Sequence, residues 1–348
     1  MKKKILVIFG GMSSEHRISC VSAANVIEHL NEDTYSVSKL GIDREGKWYL
    51  YKGKVQNIRD DQWEEDMEQL SEVGNVLEEL KKYDMVFPVL HGKYGEDGII
   101  QGLLELAKVK YVGSKVLASA IGNDKAVSKK LVSLKDIPIV PYIELDKEQF
   151  NRALDSDEGM ETLAEQVEND FSYPAIVKPN REGSSYGIVM VDTKEMLKDA
   201  MEFAFKYDSK ILIEQYLDQK HEVECAVLER KGKGLEKEIF VSTPGEVICA
   251  NDFYDYDAKY VEEGTVIKIP ANLEETLCEK IRGYAKEIFR TLNLRGLARI
   301  DFFVTGEEIY FNEINTIPGF TDISMFPKLF EHDGIPYEEL LQIIIENG

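Results

Sequence analysis

The sequence predicts an α/β fold over roughly the first third of the chain and an α+β arrangement beyond it, on three observations. Short, continuously apolar runs at 5–9 and 85–90 each lead through a Gly-rich loop into a helical pattern, the strand–helix alternation of a parallel sheet. From residue 173 the texture turns antiparallel, with strand-length runs joined by short loops. The chain has 348 residues, 43% hydrophobic and 30% charged, enough to bury more than one core and to fill at least two domains.

Taken in order, Ile5 and Leu6 open a strand that Gly10 and Gly11 close. Ser13 or Ser14 is then placed to cap a helix that turns Ile18, Val21, Val26, Ile27 and Leu30 inward. A second such unit has its strand at 85–90, a loop at 91–98, and a helix whose apolar stripe is Ile99, Ile100, Leu103, Leu104 and Ala107; residues 109–112 read as one more strand. In a parallel sheet ligands gather at the carboxyl ends of the strands, where both Gly-rich loops lie. Ser114 and Asn123 suit the caps of two short helices, the second bearing Lys125, and a first boundary falls near 115. Beyond it come strands at 175–178 and 188–191 around the loop 179–187, a helix over 195–207, and strands at 210–216 and 223–229. The stretch 242–268 has little periodicity, 274–292 is an amphipathic helix, and strands at 297–304 and 308–314 form a hairpin over Thr305, Gly306 and Glu307. The acid stretch 146–170 carries no assignable role, and the acid run 60–79 reads as a solvated helix face.

The 64 acids outnumber the 42 bases, leaving a net charge of −22, which disfavours a nucleic-acid backbone as partner. Four cysteines at 20, 225, 249 and 278 form no CxxC pair and read as reduced thiols, with neither a disulfide scaffold nor a zinc site indicated by their spacing. The basic start, Lys2 to Lys4, is followed by an apolar run too short for a secretory signal, and no stretch approaches the ~18 apolar residues of a membrane span. A cytoplasmic protein without membrane partner is expected.

The C-terminal hairpin carries the most chemistry. Side chains alternate along a strand, so Arg299 and Asp301 share one face, as do Glu313 and Asn315. A three-residue loop pairing Val304 with Glu308 brings all four to the same side. Two carboxylates and an amide oxygen are hard donors of the kind that hold Mg²⁺ against phosphates; the same residues also suit a solvated charged face with Arg299 paired to Glu313. The Pro318-Gly319 turn that follows can present backbone amides to a reacting centre. Lys178 stands at the start of a loop with Gly183, Ser184, Ser185 and Gly187, a phosphate-binding composition that an ordinary flexible hairpin shares. Glu15 suits a first-turn helix acid as well as a ligand contact, and His91 a loop histidine satisfied by its neighbours. The spacing after Gly10 is not that of a dinucleotide fingerprint, which disfavours a nicotinamide oxidoreductase. The aromatic-acidic run 252–260 suits a loop that closes over a site and excludes water, or a solvated acidic loop.

Together the run Phe9-Gly10-Gly11-Met12-Ser13-Ser14-Glu15-His16, Leu90-His91-Gly92-Lys93-Tyr94-Gly95-Glu96-Asp97-Gly98, Val177-Lys178-Pro179, Arg181-Glu182-Gly183-Ser184-Ser185, Tyr254-Asp255-Tyr256-Asp257-Ala258-Lys259-Tyr260 and Asn312-Glu313-Ile314-Asn315-Thr316 with Pro318-Gly319 resemble the D-alanine:D-alanine ligases of the ATP-grasp superfamily. The resemblance runs from residue 5 to about 330. It implies a three-domain ATP-grasp fold: an N-terminal α/β substrate domain at 1–115, a central subdomain at 116–208 with the phosphate loop 179–187, and a C-terminal subdomain at 209–348 with the metal site and a lid loop at 250–265. It implies ligation of two D-alanines through an acyl phosphate for peptidoglycan precursor synthesis, with ATP and two Mg²⁺, replaceable by Mn²⁺. A homodimer and D-serine as a side substrate are also implied.

By the same resemblance Glu15 holds the first ammonium group, with His91 near it. Glu15, Ser184 and Tyr260 tie the lid to the substrate site. Lys125, Lys178, Ser185 and Lys259 meet phosphates, and Glu214 and Glu222 meet adenine and ribose. Asp301, Glu313 and Asn315 take the metal, Arg299 and the Gly319 amide form an oxyanion hole, Ser324 meets the second carboxylate, and Met325 lies by the second substrate. Arg17, where an acid is common, and Gln215, where Lys is common, depart from the family pattern. A non-catalytic nucleotide sensor is disfavoured because no expected catalytic position is lost.

Overall fold

A computed structural model describes residues 2–232, 237–248 and 266–348. Its first unit is a five-stranded sheet in the order β4-β3-β2-β1-β5, made of β1 (Lys3–Gly10), β2 (Tyr35–Ile42), β3 (Trp48–Tyr51), β4 (Leu70–Glu72) and β5 (Met85–Pro88). β1 pairs in parallel with both β2 and β5, as the strand–helix alternation requires, while β3 and β4 add an antiparallel edge. β1 is apolar from Ile5 to Phe9 because both its faces are buried there: Ile5, Val7 and Phe9 join one core cluster, and Leu6 and Ile8 another. The helix α1 (His16–His29) crosses it and buries Ile18, Cys20, Ala23 and Val26.

Several local expectations shift. Neither Ser13 nor Ser14 caps α1; Glu15 holds the N-cap position without a side-chain cap, and Ser13 instead accepts the Glu15 N–H and donates to the His91 carbonyl, 2.8 Å away. Residues 109–112 contribute only an isolated parallel bridge between Val86 and Tyr111, because the chain leaves the sheet edge at once. The helices Val116–Asn123 and Lys125–Ser133 begin one residue later than Ser114 and Asn123 suggest; Lys115 and Asp124 occupy the N-cap positions, and Asp124 accepts the Val127 N–H. Ile99 is exposed rather than inward on its helix. The acid run 60–79 is no helix face: it breaks into two 3-10 turns, β4 and the short helix Val76–Leu80, because Trp63 is fully buried against Phe9 and pins the segment to the sheet. The stretch 146–170 resolves into two helices, Lys147–Leu154 with an Asp146/Gln149 capping box and Asp157–Asp170 capped by Ser156.

The second sheet has four antiparallel strands in the order β6-β9-β7-β8: β6 (Tyr142–Asp146), β7 (Ala175–Pro179), β8 (Val189–Val191) and β9 (Lys210–Gln215). β9 is central to it, so this sheet extends past the boundary expected at 208. Ala175 and Val177 face its own core with Phe150, Met201 and Phe205, so Ile176 and Lys178 point the other way. The third sheet runs β13-β12-β10-β14-β15, with β11 (Lys237–Val241) also on β10 (His221–Lys231); it contains β12 (Gly245–Ile248), β13 (Val266–Lys268), β14 (Leu297–Thr305) and β15 (Glu308–Asn315). β12 and β13 thus lie within the stretch read from sequence as aperiodic; the whole of the expected lid, 250–265, lies outside the described residues. The helix Glu275–Thr291 covers one face of this sheet, packing Ile281, Ala285 and Ile288 on Val223, Cys225, Ile300 and Phe302. No helix among the described residues is long and apolar enough to cross a membrane.

Candidate active site

The hairpin β14–β15 turns over two residues, Gly306 and Glu307, since Thr305 pairs with Glu308. A regular ladder from that even turn would set Asp301 opposite Asn312 and send Glu313 to the other face. A β-bulge prevents it: between the pairs Phe302–Phe311 and Asp301–Glu313 the extra residue Asn312 shifts the register by one. Asp301 therefore stands opposite Glu313 and Arg299 opposite Asn315, all on one face. The shared face is the expected one, reached by a different register. β10 adds Glu224, opposite Asp301. Arg299 grips both carboxylates, with Nε and Nη2 at 2.8 and 2.7 Å from the Asp301 oxygens and Nε at 2.9 Å from Glu224 Oε2. Asn315 Nδ2 donates to Asp301 Oδ2 at 3.0 Å. Lys125 Nζ, near-buried, reaches Glu313 Oε2 at 3.2 Å and the Glu182 carbonyl at 2.7 Å.

Glu313 of this face, with Phe303 and Asn312 of the same hairpin, lines a cleft whose opposite wall is the four-stranded sheet. Lys178 projects from the opposite wall and is held at 2.7 Å by Glu214, which also pairs with the wholly buried Lys129 at 3.1 Å. Burial alone would push the Glu214 carboxyl up, but the two ammonium groups hold it below the ordinary range; burial takes Lys129 down to about 8. Lys178 also donates to Asn312 Oδ1, 3.3 Å away, so the bulge residue links the two sheets. Ile176, Ile188, Leu217 and Phe303 give the cleft apolar surface, with Glu222 and Lys220 paired at its edge at 3.2 Å.

The loop after β7 closes one end. Ser184 and Ser185 adopt φ of +47° and +60°, a conformation costly for residues with a Cβ, in a turn closed by the Tyr186 N–H on the Gly183 carbonyl at 3.1 Å. Ser184 Oγ donates to Glu15 Oε1. A side chain on Gly92 would come within 2.4 Å of Glu15 Oε2, and one on Gly183 within 3.0 Å, so both glycines make room for that carboxylate.

The turn Ile317 to Phe320 is pinned from several elements. Glu96 accepts the N–H groups of Gly92 and Ile317 at 2.8 and 3.0 Å; His91 Nδ1 donates to the Ile317 carbonyl at 3.0 Å while its Nε2 meets Ser22 Oγ at 3.0 Å; Ser22 Oγ accepts the Phe320 N–H. Asn25 and Tyr337 donate to the Phe320 carbonyl at 3.1 and 2.8 Å. Gly319 sits inside this frame, with room for no Cβ because Ser324 Oγ would lie 2.6 Å from it. His91 is satisfied by its neighbours, as a structural loop histidine is, and burial pushes its pKa down against the opposing pull of Glu15. Burial, reinforced by Glu15, raises Glu96 to about 8.

The structure brings Lys125, Lys178, Ser184, Ser185, Glu214, Glu222 and Glu313 onto one cleft, ties Glu15 to it through Ser184 and sets Arg299, Asp301 and Asn315 on the strand face beside Glu313; His91 and Ser324 pack against the turn that contains Gly319. It does not bring Met325 into the cleft wall: that side chain is buried in the core with Phe326 and Leu329, its sulfur over Gly245. Lys259 and Tyr260 lie outside the described residues. Sequence reasoning gave no role to Ser22, Asn25, Lys129, Glu96 and Glu224; only Glu96 stood in a motif that could have drawn attention to it.

Two family models cover the chain, one described as D-ala D-ala ligase N-terminus over residues 4–114 and one as D-ala D-ala ligase C-terminus over 131–346. A D-alanine--D-alanine ligase of Acetivibrio thermocellus is 43% identical over 99% of this chain and 95% of that protein, and one of Clostridium acetobutylicum is 39% identical over 99% and 98%. Among solved structures, the VanG D-Ala:D-Ser ligase from Enterococcus faecalis superposes with a TM-score of 0.86 at 36% identity, covering 99% of each chain; the D-alanine-D-alanine ligase from Coxiella burnetii gives 0.84 at 30%, covering 99% of this chain and 93% of that one.

Proposed function

The chain belongs to the D-alanine--D-alanine ligase family, and from that premise we propose that it joins two D-alanines to D-alanyl-D-alanine at the expense of ATP, in the cytoplasm and as a homodimer, to supply peptidoglycan precursors. The observation that carries the reading is the single face formed by Asp301, Glu313 and Asn315 opposite Lys178, with Lys125 bridging to Glu313. The donors are oxygens of two carboxylates and an amide, and the amide nitrogen of Asn315 is already anchored on Asp301, leaving its Oδ1 as a ligand atom. This set fits Mg²⁺, which when bound neutralises charge on the nucleotide phosphates.

The residues of the chain do the rest. Lys178, Lys125 and the amides of the Ser184–Ser185 loop receive the phosphates, and Ile176, Leu217 and Phe303 take the purine with Glu222 near the ribose. Glu15, fixed by Ser184, receives the ammonium group of the first D-alanine and so aims its carboxylate at the γ-phosphate. Its attack gives the acyl phosphate and ADP. The amine of the second D-alanine, whose carboxylate meets Ser324, then displaces phosphate. Arg299 and the Gly319 amide face the oxygen that becomes negative in the tetrahedral intermediate, and the pinned turn holds that amide in place before reaction.

D-serine is the second reading for the acceptor. It is favoured by the 0.86 superposition on a D-Ala:D-Ser ligase, and a pocket rejects an isostere that adds a hydroxyl by only about 10²-fold. The test is ADP release from Mg-ATP with D-alanine alone and with D-serine added, products identified by mass. D-alanyl-D-alanine as the main product, abolished in Glu313→Ala, is expected. A dominant mixed dipeptide would move the assignment to D-serine, and no ADP with either amino acid would overturn it.

A further inference from the structure

Between α1 and the segment pinned by Trp63 lies a cluster whose residues do not line the cleft. His16 and Cys20 are four residues apart and therefore share one face of the helix. Asp61 and Glu64, from the segment pinned by Trp63, face them. Both helix residues are buried, His16 being 3% exposed and Cys20 0%. His16 Nδ1 lies 2.6 Å from the Gly11 carbonyl, which can only accept, so Nδ1 carries the proton and Nε2 points into the cluster. There Nε2 has no hydrogen-bond partner among the described residues, and it stands 3.4 Å from Asp61 Oδ1 and 3.4 Å from Glu64 Oε1. Cys20 Sγ is 3.8 Å from that same Asp61 oxygen.

These separations have a chemical meaning. At zinc-class bond lengths of about 2.0–2.3 Å the edges of a coordination tetrahedron are about 3.3–3.8 Å, and one ligand atom each from His16, Cys20 and Asp61 lie within 4.8 Å of one another. An imidazole whose other nitrogen donates to a backbone carbonyl is the usual arrangement of a metal ligand, since that bond fixes the tautomer and the ring. The cysteine spacing alone gave no hint, because three of the four donors are not cysteines.

We propose that His16, Cys20, Asp61 and Glu64 form a site for one zinc-class divalent ion, which clamps the 60–65 segment to the start of α1. Binding expels the Cys20 thiol proton to solvent and leaves a thiolate on the metal. Arg44, half exposed, pairs with Asp61 Oδ2 at 2.5 Å and with Glu64 Oε1 at 3.3 Å, so it competes with the metal for the Glu64 oxygen that faces His16 and draws charge from Asp61. Because Glu15 directly precedes His16, the clamp also fixes the helix start that carries the Glu15 carboxylate.

The test titrates the metal-stripped, full-length protein with Co²⁺ in excess Mg²⁺, which saturates the oxygen-only face without competing for a thiolate. One equivalent should bring a thiolate-to-cobalt absorption band and quench the fluorescence of Trp63, whose ring stacks 6.4 Å from that of His16. Cys20→Ser should abolish the band. Asp61→Asn, nearer the surface, should weaken Co²⁺ affinity by at least about tenfold, and Arg44→Gln should strengthen it. No band in the folded wild type, a band that survives Cys20→Ser, or an affinity indifferent to both Asp61→Asn and Arg44→Gln would reduce the cluster to an ion-pair network and overturn the proposal.

Discussion

Glu96 places a buried carboxyl between two backbone amides, one from its own loop and one from residue 317. Its pKa, raised to about 8 first by burial and then by Glu15, has a measurable consequence. The folded protein holds a proton there that the unfolded chain releases near pH ~4.3. The stability this contributes is complete below that pH and is lost as pH rises toward 8, with a slope of up to about 1.4 kcal/mol per unit. Glu96→Gln should flatten urea-derived stability between pH 5 and 8 while costing about 1–3 kcal/mol for the amide left without an acceptor; an unchanged slope would place the titration elsewhere. Asn25→Ala should lower kcat more than it raises KM for D-alanine, because it loosens the turn around Gly319 without touching the first-substrate contacts. Such residues were hidden in the sequence for a physical reason. Lys178 and Asp301 announce themselves by residue type and strand position, whereas the partner of Glu96 lies 221 residues away along the chain, and side-chain bonds to backbone leave no pattern in composition.

Among the elements, the hairpin shows how sequence reasoning can reach a correct face through an incorrect register. Alternation placed Asp301 and Glu313 together, but the two-residue turn at Gly306 and Glu307 would have separated them had Asn312 not bulged. The bulge, not the turn, sets the site. An alanine inserted between Gly306 and Glu307 should therefore leave ADP formation nearly intact, while the same insertion between Asn312 and Glu313 should turn Glu313 and Asn315 to the opposite face and abolish it, with far-ultraviolet circular dichroism unchanged in both. Helix starts were legible to within a residue, as Lys115 and Asp124 show beside Ser114 and Asn123. The 60–79 run was misread because its acids outnumber the one residue that decides its path, the buried Trp63.

Across the whole molecule the cores are divided unequally. The four-stranded sheet has its own cluster around Phe150 and Phe205. The first sheet and the six-stranded sheet share another, in which Val7 and Phe9 meet Leu228, Val247, Phe326, Phe330 and Ile344. Phe330→Ala should cost about 3–5 kcal/mol and unfold both sheets together. Phe150→Ala should instead lower hydrogen-exchange protection over β6, β7 and β9 first, leaving β1 protected. Sequence periodicity showed which positions turn inward but not which inward faces meet, since that pairing is set between segments hundreds of residues apart.

The shared cluster also orders events during synthesis. The β1 face that carries Val7 and Phe9 packs on α1 and shares its core with Phe326, Phe330 and Ile344 of the helices Met325–His332 and Tyr337–Asn347, and Lys3 is tied to the carbonyl of Ile345. At about 5–20 residues per second, the roughly 300 residues between them take some 15–60 s to translate. Through that interval β1 and α1 lie together without the C-terminal side chains that complete their core, so the cluster that joins the first and third sheets closes only once the residues near 345 have been made.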